Sequence, residues 1–355
     1  MEKVKVAVIG VGHHGQHHAR IFFEDPNCEL VGVVDIDRKQ AKHIARVYKS
    51  HHYNNHQKMF GKVDAVSIAV PTNLHYQIAK EFLLKGVHVM IEKPITQRVE
   101  EAQDLISIAK KNNLVLQVGH IERFNIAVQK LREILKRPGF IEAHRLGPYD
   151  PRVKDIGVVM DLMIHDIDIV LEIVQSPIIS FDAVGMAILS DKEDIANVRI
   201  KFQNGCTANI TTSRVTPRKM RKIRIFQEDC YISLDYIKQA MEIHKREVVP
   251  NPKIGESKYR ISAKVIRLKR EEPLKLELNH FIECVQKGVT PDVTGEHAKN
   301  ALEVVVKISE LVQESMKQFS GLLESKEGLK LLPEGHPLKL EVGRTALSDS
   351  STEKD

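Results

Sequence analysis

The stretch VAVIGVGHHGQHHAR at residues 6–20 limits the fold more than any other part of the chain. It joins a β-branched run, VKVAVI, to Gly10, Gly12 and Gly15 and then to residues of helical character. A short apolar run of this kind fits a buried parallel strand. A strand, a G-x-G-x-x-G turn and a helix in that order expose backbone amides at a helix start, where they attract a phosphate. Gly10 permits the tight turn, Gly12 lets the backbone approach a pyrophosphate, and Gly15 lets the helix pack close to the strand. The next strand, ELVGVVD, ends at Asp35, about twenty residues beyond the turn. A carboxylate there accepts hydrogen bonds from ribose hydroxyls and repels a 2′-phosphate, so the spacing predicts NAD in preference to NADP. Arg38 pulls the other way, because its guanidinium can bind that phosphate.

The histidines of the same stretch offer a competing chemistry. On a helix, His13 neighbours His17 and His14 neighbours His18, a spacing that can chelate a divalent ion. No cysteine or carboxylate pattern nearby completes such a site. The expectation is therefore no metal, with some rings solvated and others packing the first helix. His51, His52 and His56 fall in HHYNNHQK, which reads as a surface loop with adventitious affinity for nickel or zinc.

From the glycine turn onward, strand and helix patterns alternate: VKVAVI, ELVGVVD, VDAVSIAV, VHVMIEK and LVLQVGH are separated by amphipathic stretches such as KQAKHIARVY and HYQIAKEFLLKG. This rhythm predicts an α/β domain, a parallel sheet with helices on both faces. After residue 125 the rhythm changes to a helix in IAVQKLREILKR, a strand in FIEAHRLG and a helix over 158–175. ISFDAVGMAIL, ANVRIKF, CTANITTSRV, KIRIFQ and CYISLDY then have the spacing of an antiparallel sheet, and Asn204-Gly205 is a hairpin signal. Two late helices, PLKLELNHFIECVQKG and HAKNALEVVVKISELVQES, are expected to close this second domain. The expected division is a dinucleotide-binding domain over 1–124, an α+β domain with a large, mainly antiparallel open sheet over 125–319, and a carboxy-terminal extension over 320–355 with a polar, disordered end. A chain of 355 residues, 42% hydrophobic, supports two cores.

Composition narrows the partners. The net charge of +6 is mild, and the basic stretches PRKMRKIR and VIRLKR alternate with apolar residues as solvated strand faces do, so no nucleic-acid partner is expected. Cys28, Cys206, Cys230 and Cys284 lie far apart and form no C-x-x-C pair, which argues for reduced thiols. Every long apolar run is broken by charge, so a cytoplasmic protein without a membrane span is expected.

Four further segments follow the glycine turn in order: AVPTNLH at 69–75, EKP at 92–94, VGHIERFN at 118–125 and DLMIHDID at 161–168. Together they resemble the Gfo/Idh/MocA oxidoreductase family, from residue 1 to about 315. The resemblance implies a Rossmann domain followed by an α/β domain whose open sheet mediates a homo-oligomer, dimer or tetramer. It implies cofactor contacts at Gly10, Gly12, His13, His14, Asp35, the Val70-Pro71-Thr72 turn, His75 and Glu92; His14 stands where relatives carry a small or apolar residue. Within the family, GHIERFN, RLGPYDPR and DLMIHDIDIV are most similar to members that oxidise the 3-hydroxyl of UDP-N-acetylglucosamine in amino-sugar biosynthesis for lipid A or surface glycans. A nucleotide sugar is thus the expected substrate. Another polyol, such as an inositol, a free sugar or a UDP-uronic acid, is the alternative, and a non-catalytic NAD-binding sensor or scaffold a second.

Oxidising a secondary alcohol needs a group to take the hydroxyl proton and another to stabilise the developing oxyanion. Lys93, Asp161 and His165 are of the right types. EKP ends a strand, which puts Lys93 at the carboxyl edge of the sheet, where open α/β folds bind ligands. Asp161 and His165 are four apart, so on a helix the carboxylate is expected to orient the imidazole and favour its protonated state. His165 is read as the base, Asp161 as its partner and Lys93 as the oxyanion donor, with Lys93 and His165 able to exchange roles. Arg123, Arg145, Tyr149 and Arg152 lead toward this helix and are expected to meet a diphosphate, Arg152 foremost. Support of loops or of a neighbouring subunit is the competing reading for these four.

Overall fold

Six strands of the amino-terminal half pair in parallel: β1 (Val4–Ile9), β2 (Cys28–Val34), β3 (His51–Tyr53), β4 (Ala65–Ile68), β5 (His88–Glu92) and β6 (Leu116–Gly119), in the spatial order β3-β2-β1-β4-β5-β6. They are seen in a computed structural model that describes residues 2–151, 155–250 and 257–324. Helices α1 (Gly15–Glu24), α2 (Arg38–Val47), α3 (His75–Leu84) and α4 (Val99–Lys111) connect the strands. The strand order reverses between β1 and β4, and a sheet of this kind offers its ligand crevice at the carboxyl ends on either side of that reversal. One expectation is corrected here. His51 and His52 belong to β3 and pair with β2, rather than lying in a loop; an edge strand needs only one neighbour, so its outward residues stay polar. His56 follows in a 3-10 turn, with Nε2 3.0 Å from Glu81 Oε2.

The second sheet has eight strands: β7 (Pro138–Leu146), β8 (Ile178–Met186), β9 (Ile195–Phe202), β10 (Thr207–Ser213), β11 (Met220–Gln227), β12 (Cys230–Asp235), β13 (Ala240–Val248) and β14 (Tyr259–Arg267). Their order is β14-β13-β12-β11-β7-β10-β9-β8, antiparallel except for the β7–β10 pair. Gly205, at φ +87°, closes the β9–β10 hairpin where the sequence places it. Helix α5 (Ile126–Ile134) follows the first sheet, and α6 (Ile164–Val174) carries the DLMIHDID segment.

The last two helices, α7 (Pro273–Lys287) and α8 (Gly295–Glu324), do not belong to the second sheet alone. Leu278, Phe281, Ile282 and Cys284 of α7 are buried against Val4, Val6, Val8, Ile21 and Phe22 of the first domain. Burying side chains of this size contributes about 1.5–3 kcal/mol each. Helix α8 packs on α4 as well as on α6 and β8. The chain thus returns to its first sheet, which a linear division into 1–124 and 125–319 does not describe. From residue 325 the expected extension lies outside the described residues.

Candidate active site

The glycine turn is built as its spacing requires. Gly10 sits at φ +85°, and a Cβ there would meet the Ala69 carbonyl oxygen at 2.7 Å. A Cβ on Gly15 would collide with the Gly10 carbonyl, so α1 approaches β1 only because that position is bare. Gly12 differs, since a Cβ would meet nothing within 4 Å and its outer face is open. From it runs a groove of about 500 Å³ lined by Ile9, Gly10, Gly12, Asp35, Ile36 and Pro71, among others. Asp35 crosses its floor, with Oδ2 accepting from the Val11 amide at 2.8 Å and Oδ1 from the Asp37 amide at 2.9 Å. Ile36 is 92% exposed beside it, an apolar shelf for a flat ring. Arg38 is exposed in the first turn of α2. The open face of Gly12, a ribose-seeking carboxylate and an apolar shelf in one groove fit a dinucleotide.

Beyond Ala69 and Val70, which border both this groove and the next cleft, β5 delivers Glu92 and Lys93. Lys93 Nζ donates to the backbone oxygen of Asp161 at 2.6 Å and to its Oδ1 at 3.1 Å. Asp161 lies in a π-helical turn, Val159–Met163, that leads into α6. This corrects the expected Asp161–His165 pair: the wider turn breaks the four-residue stacking of an α-helix, so the carboxylate swings to Lys93. Among the described residues the His165 Nδ1 has no hydrogen-bond partner. Burial, and then the charges of Lys93 and Arg145, hold the His165 imidazole well below its ordinary pKa, so the expected protonated ring is corrected to a neutral one. Lys93, Asp161 and His165 meet at a cavity of about 500 Å³ also lined by His13, His14 and Arg221. A second cleft, about 490 Å³, shares Lys93 and Asp161 and reaches Val70, Thr72 and Gln97.

The remaining histidines divide. His13, His14 and His17 are exposed rings with centroids 5.4 and 6.0 Å apart in sequence order from His13. Burial draws the His14 ring below its usual pKa. Among the described residues no group of three or more His, Cys, Asp or Glu is placed to hold a metal. His75 lies behind the surface of the cleft, its Nδ1 2.9 Å from the Pro94 oxygen and its Nε2 2.8 Å from the Val70 oxygen. The ring therefore sits between the Val70–Thr72 turn and the EKP loop, and as a neutral imidazole it donates its single N–H to one of the two carbonyls.

The arginines expected at a diphosphate are also corrected. Arg123 donates to both oxygens of Asp168, at 2.6 and 2.8 Å, and pairs with Glu172. Arg145 donates to Asp166 at 2.7 and 3.1 Å and to Glu122 at 3.0 Å. Both are buried, because α6 presents Asp166 and Asp168 inward on either side of its helical turn. Tyr149 lies under the Arg214 guanidinium, 5.3 Å from ring centroid to carbon. Arg152 lies outside the described residues. Besides Arg214, the cationic side chain lining the His165 cavity that the sequence reading missed is Arg221 of β11, within PRKMRKIR. It shares strand parity with Ile223 and Ile225, both fully buried, and that parity was the available signal that it points inward.

A dinucleotide groove, and beside it a cleft that leads to a lysine and a neutral histidine, form the working arrangement of a nicotinamide-dependent oxidoreductase. Residues 4–120 match the family described as oxidoreductase, NAD-binding Rossmann fold, and residues 138–233 match the GFO/IDH/MocA C-terminal domain. The chain belongs to the Gfo/Idh/MocA oxidoreductase family. It is 36% identical over 286 residues to the UDP-N-acetylglucosamine 3-dehydrogenase of Acidithiobacillus ferrooxidans, covering 80% of this chain and 90% of that one. A solved structure of that enzyme superposes with a TM-score of 0.82 at 33% identity, covering 89% of this chain and 99% of the other. The scyllo-inositol 2-dehydrogenase (NAD(+)) of Bacillus subtilis is 26% identical over 322 residues, 85% of this chain and 92% of that one.

Proposed function

We propose that the protein oxidises the 3-hydroxyl of UDP-N-acetylglucosamine to the 3-oxo nucleotide sugar with NAD as acceptor. The observation that carries this is the convergence of Lys93, Asp161 and His165 at one cavity, which shares Lys93 and Asp161 with the cleft that borders the dinucleotide groove at Val70. The likeness to the Acidithiobacillus enzyme supports the choice of sugar. Bound NAD supplies the acceptor for the hydride that leaves the sugar carbon. The neutral His165 ring takes the hydroxyl proton, which its free lone pair permits. Lys93 Nζ, steered by its two bonds to Asp161, donates to the oxygen as negative charge develops there. Arg221 reaches into the same cavity and suits the diphosphate, and the Asp35 carboxylate favours NAD over NADP. The enzyme assembles through the outer face of the second sheet. There Phe140, Phe226, Tyr231 and His244 form a row across four strands, with successive ring centroids 5.7, 4.9 and 5.4 Å apart.

Incubation with NAD and UDP-N-acetylglucosamine, with the product drawn off by coupling, is expected to give reduced cofactor and a 3-oxo sugar by mass spectrometry. Turnover of inositols or free sugars alone would overturn the substrate. NAD binding without turnover of any of these would overturn the enzyme reading.

A further inference from the structure

Two side chains that the reaction above does not use, Ser67 and His18, form a chain with Glu92 beneath the catalytic edge. Ser67 Oγ of β4 lies 2.7 Å from His18 Nδ1 on α1, and His18 Nε2 faces Glu92 Oε1 at 3.1 Å. Ser67 and His18 are sealed from solvent, whereas the Glu92 side chain remains 20% exposed toward the two clefts. An imidazole that faces a carboxylate through Nε2 carries its proton there, which leaves Nδ1 to accept from the serine hydroxyl. Glu92 is also given its space: it pairs in register with Gly119 on β6, where a Cβ would come within 2.9 Å of Oε2. Burial opposes charge on Glu92, but the adjoining His18 ring, and then the charge of Lys93, hold the carboxyl below the usual range. Lys93 directs two of its N–H groups to Asp161, and among the described residues no lysine or arginine pairs with the Glu92 carboxylate beside it.

Glu92 lines both the cleft that starts at Val70 and the cavity of His165. A reactive ring that reaches Lys93 and His165 from a pyrophosphate at Gly12 passes beside it. The oxidised nicotinamide ring carries a positive charge and the reduced ring none. We propose that Ser67, His18 and Glu92 act as a charge selector, holding a negative group beside the reactive ring so that the protein binds the oxidised coenzyme more tightly than the reduced one. The inference rests on the nicotinamide reading of the groove. Its consequence is capture of the oxidised form and early loss of the reduced product. Ser67 and His18 are positioning residues in this device, and neither touches the ring.

The test is calorimetric binding of NAD and NADH to wild type, Glu92→Gln, His18→Gln and Ser67→Ala. Glu92→Gln keeps the shape and removes the charge, and the ratio of reduced to oxidised Kd is expected to fall about tenfold. That equals about 30 mV in the potential of a bound two-electron couple. His18→Gln and Ser67→Ala are expected to shift the ratio in the same direction by less, because the carboxylate keeps its charge and loses its anchor. Both coenzymes binding with an unchanged ratio in Glu92→Gln and His18→Gln would overturn the selector and leave the groove assignment standing. Wild-type protein that binds neither coenzyme would overturn both.

Discussion

Arg145 and Arg123 reach carboxylates 21 and 45 residues away in the chain, and that distance is why their role could not be read locally. A guanidinium near a catalytic segment looks the same in sequence whether it faces a ligand or a buried aspartate. The two cases separate by experiment. Arg123→Ala leaves Asp168 buried without its main partner and is expected to cost about 3–5 kcal/mol in urea unfolding. Arg221→Ala, on a half-exposed strand position, is expected to leave the unfolding midpoint in place and raise the KM for the nucleotide sugar about tenfold. His165 gives a third reading at this scale. Because its ring is held below the ordinary value of 6.5, the rate is expected to stay level as pH falls through that value and to decline only at more acidic pH. Lys93→Met removes a positive neighbour, so the His165 titration followed by NMR is expected to move upward.

At the scale of elements, the parallel strands and the glycine turn were legible because one run of apolar residues, bounded by turn residues, suffices to specify each. The π-helical turn at Val159–Met163 was not, since nothing in VMDLM distinguishes it from an α-turn until Lys93 pulls on Asp161. β13 and β14 escaped notice for a related reason: HKRE breaks the apolar pattern of β13 after Ile243, and the alternating Tyr259, Ile261, Ala263 and Val265 of β14 all fall on exposed positions, so no buried face marks the strand. Helix α7 holds a further element-scale test. Glu277 is fully buried, both its carboxylate oxygens lack hydrogen-bond partners among the described residues, and burial, then the charges of Glu92 and Asp168, push its pKa well above the usual range. The folded chain keeps this proton after the unfolded chain has lost its own, so the group reduces stability as pH rises above about 4.5. Glu277→Met is expected to stabilise by about 1–3 kcal/mol at pH near 8 and by less near pH 5, measured by urea unfolding at both.

For the whole molecule, charge burial sets the response to acid. His14, His75, His88, His120 and His165 are all drawn below 6.5, mainly by burial. On acidification the unfolded chain takes up these protons first, so the stability the neutral rings provide is complete above pH 6.5 and drains away below it. Thermal unfolding is expected to show Tm falling from about pH 8 to about pH 5.5, and falling more steeply in Glu277→Met, where the opposing carboxyl is gone. The proposed assembly is tested at the same scale: Phe226→Asp, placed in the partly exposed aromatic row, is expected to lower the mass found by sedimentation while leaving coenzyme binding intact.

The return of α7 to the first sheet gives the protein a temporal order. A ribosome delivers Val4 and Phe22 long before Leu278 and Phe281, so the apolar surface they will share stays uncovered through most of synthesis. Nascent chains halted ahead of residue 273 would carry a complete glycine turn on an unfinished support, and would need a chaperone's shelter until the missing helix emerged.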